Sequence, residues 1–116
     1  MKEGDRQMVF DCYVTCHING QDYKLGLPNR YLFAAERECS KGNLIKVMQD
    51  PPPSMGDIYI LFKYALLGGG NNLNDEQIDE LFNACMAEHN GFIGLTQIVF
   101  EVFAKAAPLA KKVQAQ

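Results

Sequence analysis

Four cysteines and two histidines are the residues of this 116-residue chain that could ligate a soft metal or act as nucleophile and base. Cys12, Cys16 and His17 lie close together in the sequence, whereas Cys39, Cys85 and His89 stand apart. No Cys-x-x-Cys pair occurs, and each cysteine sits in an otherwise apolar pattern, which reads as small buried thiols. A metal site built from Cys12, Cys16 and His17 fails on strand geometry. Cys12 and Cys16 share one face of a strand but stand about 13 Å apart, and His17 points to the other face. Cysteine–histidine catalysis needs a thiol and an imidazole in contact, with an orienting group. No motif brings such a pair together, although the thiols and imidazoles could still meet in space. The sequence reading is therefore non-enzymatic, with no catalytic, cofactor-binding or metal-binding residue. His89 is read as a surface residue in a helix–helix connection.

Two further motifs suggest ligands and fail on their chemistry. Residues 74–103 look superficially like an EF-hand: an acidic helix start, a glycine, then Phe92-Ile93 and a second helix. Aligning Gly91 with the invariant loop glycine puts Met86 at the first ligand position and Gln97 at the last. Methionine is a poor ligand for a hard cation, and Gln97 has no carboxylate to bind it bidentately. Gly68-Gly69-Gly70 lacks the lysine and hydroxyl of a phosphate loop and follows a helical pattern rather than a strand. It reads as a helix C-terminus and reversal in which glycines relieve left-handed strain.

The elements that position these residues follow from periodicity. Residues 8–27 read as a β-hairpin, with alternating apolar residues on both sides of Asn19-Gly20, the strongest two-residue turn signal. That turn sets a register of Cys16 opposite Tyr23, Val14 opposite Leu25 and Cys12 opposite Leu27 on the buried face. His17 then faces Asp22 and Thr15 faces Lys24 on the outer face. Two strands alone are marginal in water, so the hairpin must pack on helices or pair with another copy.

Helices are expected over 29–49, 54–67, 74–88 and 92–107. The first range holds a small helix around Tyr31, Leu32 and Ala35, ended by Ser40-Lys41-Gly42, then a short amphipathic turn around Leu44, Ile45, Val47 and Met48. Asp50-Pro51-Pro52-Pro53 reads as a stiff extended connector. Ser54 caps the next helix. Asn74 and Gln77 make a capping box for the one after, flanked by Leu73 and Ile78 at staple positions. Ile58, Leu61, Phe62, Ala65 and Leu66 form one apolar stripe, Ile78, Leu81, Phe82 and Cys85 a second, and Leu95, Ile98, Val99, Val102, Phe103 and Ala106 a third. Pro108 stops the last helix. The fold class is α+β, mainly α: an N-terminal hairpin and a small bundle of four to five helices. One domain spans 8–108, between a flexible N-terminus at 1–7 and a flexible tail at 109–116.

The helix from Ser54 is apolar nearly all round, so it is either central or partly in an interface. Tyr59, Ile60, Tyr64 and Leu67 lie off its main stripe and are the candidate partner-binding residues. Net charge is −3 with mixed signs and no basic stripe, which gives nucleic-acid binding no electrostatic support. No apolar run approaches a membrane span of roughly 20 residues. The opening Met1-Lys-Glu-Gly-Asp-Arg has no apolar stretch of signal-peptide type, and the expected location is the cytosol.

The layout resembles a family. The carrying features are the hairpin ending in Tyr23-Lys-Leu-Gly-Leu, a small helix with Glu36 and Glu38, and the opening Ser54-Met-Gly-Asp57. After them come the helix end Ala65-Leu-Leu-Gly-Gly-Gly-Asn, the capped start Leu73-Asn-Asp-Glu-Gln-Ile-Asp-Glu-Leu, and Ala-Ala-Pro108. Over roughly residues 22–108 this resembles the small tail assembly chaperones of long-tailed phages, including the related proteins of gene transfer agents. The resemblance implies a non-enzymatic, cofactor-free protein that coats the long helical tape measure protein. It would keep that protein soluble until tail tube protein polymerises around it. It further implies action in the host bacterial cytoplasm, absence from the mature virion, and a capacity to form a homo-oligomer. Neither nucleic acid nor membrane is an expected partner. The alternative from the residues is a helical adaptor with a degenerate, non-calcium-binding EF-hand-like helix pair that binds some other amphipathic helix.

Overall fold

The structure is a computed structural model that describes residues 13–39, 42–49 and 53–106. The chain runs through β1 (Tyr13–Ile18), β2 (Gln21–Gly26), α1 (Asn29–Glu38), α2 (Leu44–Gln49), α3 (Met55–Gly68), α4 (Asp75–Glu88) and α5 (Gly91–Ala104). Among the described residues this is an α+β fold, mainly α, with a hairpin ahead of five helices. Met8 to Cys12, the two ends at 1–7 and 109–116, Ser40-Lys41 and most of the proline connector lie outside the described residues.

The hairpin has the register that its turn dictates. Asn19 and Gly20 both adopt positive φ, as a two-residue hairpin turn of this hand requires. Tyr23 then pairs with Cys16, Leu25 with Val14, Asp22 with His17 and Lys24 with Thr15. Cys16, Ile18, Leu25 and Leu27 are buried, while Thr15, His17, Asp22 and Lys24 are exposed. The Cys12–Leu27 pair falls outside the described residues. The hairpin buries its apolar face on α3, α4 and α5, so it needs no second copy for its core side.

Local chemistry sets the helix starts. Ser54 accepts the Asp57 N–H, and Asn74 and Gln77 exchange side-chain-to-backbone bonds in a full capping box. Asn43 accepts the Lys46 N–H at the start of α2, where the Glu36 carboxylate also takes the Leu44 N–H. The α4–α5 connection is short: only His89 and Asn90 separate the helices. The stretch from Met86 to Gln97 is therefore mostly helix, so a calcium loop in that alignment has no loop to occupy. The helix pair is not EF-hand-like, which corrects that part of the adaptor reading. α5 ends at Ala104, short of the expected 107.

Helix α3 is central. It packs on β2, α1, α4 and α5, and Ile58, Leu61, Phe62 and Leu66 are among its fully buried side chains. The triple glycine after it has a different cause from the one its sequence suggests. Only Gly70 has positive φ. A Cβ on Gly68 would lie 2.3 Å from the Gly26 carbonyl oxygen, and one on Gly69 would lie 1.8 Å from that of Lys24. The glycines let the end of α3 press against the backbone of β2, a close approach that any side chain would block.

Candidate functional site

Two features of this framework could carry function. The first is a cluster of thiols and an imidazole. Cys16 lies on the buried face of β1, opposite the C-terminal turn of α4. Cys85 and His89 lie four residues apart at that turn, a spacing that puts both on one side of a helix. The Cys16 and Cys85 sulfurs and a ring nitrogen of His89 all lie within 4.8 Å of one another. Cys16 Sγ is 3.7 Å from His89 Nε2. That nitrogen also lies 2.8 Å from the His17 carbonyl oxygen. A carbonyl only accepts, so Nε2 carries the proton and donates to it.

Two contacts hold the cluster in place. The Asn19 N–H at the hairpin turn donates to the Glu88 carboxylate at 2.9 Å, tying the turn to the last residue of α4. Gly94, in the first turn of α5, packs against the His89 carbonyl so closely that no side chain fits. His89 is thus half-buried and held, not the isolated surface residue that the sequence suggests.

The cluster also redistributes protons. The Cys16 thiol is drawn down from its ordinary 9.0 to about 7 by a hydrogen bond from Cys85, helped by His89 and opposed by burial and Glu88. Cys85 is driven upward by the same bond and by burial, because it is the donor. Cys39 sits apart near Asp57, and burial first, then the Asp57 carboxylate, pushes its thiol up to about 12. Cys16 is buried, at 4% exposure for the whole residue. The arrangement suits holding a small ion better than attacking an external carbonyl. His17 points to the other face of β1 and pairs with Asp22 at 2.8 Å. Its side chain is not among the three clustered ligand atoms, although its charge adds slightly to the lowering at Cys16.

The second feature is the outer arc of α3. Successive residues of a helix are turned by about 100°. On that wheel Asp57, Ile58, Leu61, Phe62, Ala65, Leu66 and Gly68 fill one continuous arc, and all are buried. Beyond the exposed first two residues, Met55 and Gly56, the other side is filled by Tyr59, Ile60, Lys63, Tyr64 and Leu67, all half-buried. The arc lies between α1 and α4. At one edge the Tyr64 hydroxyl donates to Glu38 of α1; at the other the Tyr59 hydroxyl donates to Asp79 of α4. The Tyr59 ring also meets Phe82 edge-on at 5.1 Å. All four candidate partner-binding residues therefore share one face, bordered by carboxylates. Large apolar side chains exposed elsewhere are Phe33, Ile45, Met55 and Ile93.

Sequence reasoning missed Cys85 and His89 as neighbours of Cys16. The usable signal was their four-residue spacing at a helix end, the same spacing that places paired ligands on other metal-binding helices. No protein-family model, curated protein or solved structure matches this chain.

Proposed function

We propose that this protein is a tail assembly chaperone that binds the tape measure protein through the outer arc of α3. The observation that carries the reading is the division of α3 into a buried arc and a half-open one that is apolar apart from Lys63, whose ammonium lies over the Tyr64 ring and 3.9 Å from Asp75. A chaperone for a long helical protein has to cover apolar stripes on that helix, and a helix-in-groove contact does this with apolar anchors and a polar rim. Ile60 and Leu67 supply the anchors. The rings of Tyr59 and Tyr64 add apolar area, and their hydroxyls are already bonded to Asp79 and Glu38. Covering those rings strands no polar group, which removes a usual penalty of burying tyrosine. The bordering carboxylates favour a partner helix whose apolar stripe is flanked by lysine or arginine.

The resemblance itself rests on the order of elements, from the hairpin through the Ser54-capped and Asn74-capped helices to the last helix, and on the short motifs within them. The reading is non-enzymatic and involves no nucleic acid or membrane. Among the described residues no helix is long and apolar enough to cross a membrane. The tail tube protein is the partner's next contact, and self-association would store the free chaperone.

Co-expression with the tape measure protein tests the proposal. The wild type should keep that protein soluble, and an Ile60→Gln/Leu67→Gln double variant should release it to the pellet while retaining native circular dichroism. A folded double variant that protects the tape measure protein as well as the wild type would overturn the assignment of the surface. Failure of the wild type to protect it would overturn the function.

A further inference from the structure

We propose that Cys16, Cys85 and His89 form a site for a thiophilic divalent ion of the zinc class, which pins the hairpin to the end of α4. The inference is independent of the chaperone reading.

Three observations carry it. The first is the donor set. Two sulfurs and an imidazole nitrogen are the ligands that zinc and its relatives prefer, and they discriminate against calcium and magnesium, which take oxygen. The second is spacing. With metal–sulfur bonds of about 2.3 Å and metal–nitrogen bonds of about 2.0–2.1 Å, a tetrahedral site has a sulfur-to-nitrogen edge of about 3.6 Å. Cys16 Sγ and His89 Nε2 are 3.7 Å apart. Three ligand atoms within 4.8 Å of one another need only small rotamer shifts to converge on one ion. The third is location. Cys16 and Cys85 are buried at 4% and 0% exposure, while His89 is half-buried at the edge. The ion would have protein behind it and one open side, where water or the His17 carbonyl oxygen supplies a fourth donor.

Charge and proton balance are simple. Both cysteines bind as thiolates, and any proton they still carry passes to solvent. His89 moves its remaining proton from Nε2 to Nδ1 and gives up its bond to the His17 carbonyl. Two thiolates offset the double charge of the ion, so the filled site is neutral and can lie at the edge of an apolar core. No electron is transferred.

The consequence is mechanical. Cys16 belongs to β1, and the other two ligands belong to the end of α4 and its cap. An ion bound in the folded state alone stabilises that state by mass action.

Cobalt(II) is the spectroscopic probe and zinc chloride the thermal one, both added to the full chain under reductant. The wild type should take one equivalent of cobalt, with a thiolate-to-metal charge-transfer band and the intense visible bands of a tetrahedral site. Zinc should raise its Tm. His89→Gln changes a half-buried side chain and should weaken cobalt binding by at least about tenfold while keeping native circular dichroism. Cys85→Ala should abolish the charge-transfer band, and Cys39→Ala should leave it unchanged. The proposal falls if the wild type shows no charge-transfer band at stoichiometric cobalt, or if His89→Gln binds as tightly as the wild type. It also falls if Cys39→Ala removes the band. Should Cys85→Ala fail to fold, the His89→Gln comparison still decides.

Discussion

The backbone of His89 and the α-carbon of Gly94 are in contact across the turn between α4 and α5: a Cβ at Gly94 would lie 1.4 Å from the His89 carbonyl oxygen. The turn is tight because Asn90 and Gly91 both adopt positive φ, which folds α5 back at once. Gly94→Ala forces the two backbones apart, and overpacking of this kind costs about 1–3 kcal/mol. Gly56 is a control, because a Cβ there meets nothing nearer than Ser54 Oγ at 4.0 Å. Gly56→Ala should stabilise α3 by about 0.5–1 kcal/mol, since alanine loses less backbone entropy in a helix. Urea unfolding of both variants checks the pair. Equal midpoints would mean that the close approach at Gly94 does not govern the turn.

The capping box at α4 should matter more than its exposed position suggests. Asn74 accepts the Gln77 N–H at 2.9 Å and Gln77 accepts the Asn74 N–H at 2.9 Å. Asn74→Ala leaves a first-turn donor to water alone and should cost about 1 kcal/mol, lowering the Tm by about 4 °C. Asn74→Gly should cost only a few tenths of a kcal/mol, because glycine is itself a fair cap. Thermal unfolding of the two variants compares them, and an alanine variant as stable as wild type would remove the cap from the account of α4.

The edges of the α3 arc predict a pH effect. Tyr59 ionises at about 12 instead of 10.0 because its hydroxyl donates to the Asp79 carboxylate, with burial adding to the shift. A pKa raised on folding contributes stability that is complete below about pH 10, the unfolded value, and is lost as pH climbs through the folded one. Asp79→Asn should bring one tyrosine back toward 10.0 in a tyrosinate absorbance titration. Tyr64, raised to about 12 chiefly by its bond to Glu38, should stay where it is. A titration curve that Asp79→Asn leaves unmoved would break the link between α3 and α4 at this edge.

How far the sequence reaches is clear from particular residues. The Cys16–Tyr23 and His17–Asp22 pairings follow from Asn19-Gly20, because a two-residue turn leaves the strands no other register. The caps at Ser54 and Asn74 follow from side chains three residues from their targets. The α+β class, the hairpin and the helical segments were legible for the same reason: their determinants lie within a few residues. Tertiary structure alone decided what lies between distant segments. Cys16 meets His89 across 73 positions of chain, and no local pattern encodes that meeting. The tight α4–α5 turn and the tether from Asn19 to Glu88 create it. Gly68 and Gly69 looked like residues for left-handed backbone and proved to be spacers, because only the docking of β2 reveals what a Cβ would strike. The apolar circumference of α3 left open whether that helix was central or at a surface. Packing between α1 and α4 makes it both: one arc is wholly buried, and the other is half-open because no described element covers it. Periodicity records which residues share a face. Only the packed chain records which faces meet.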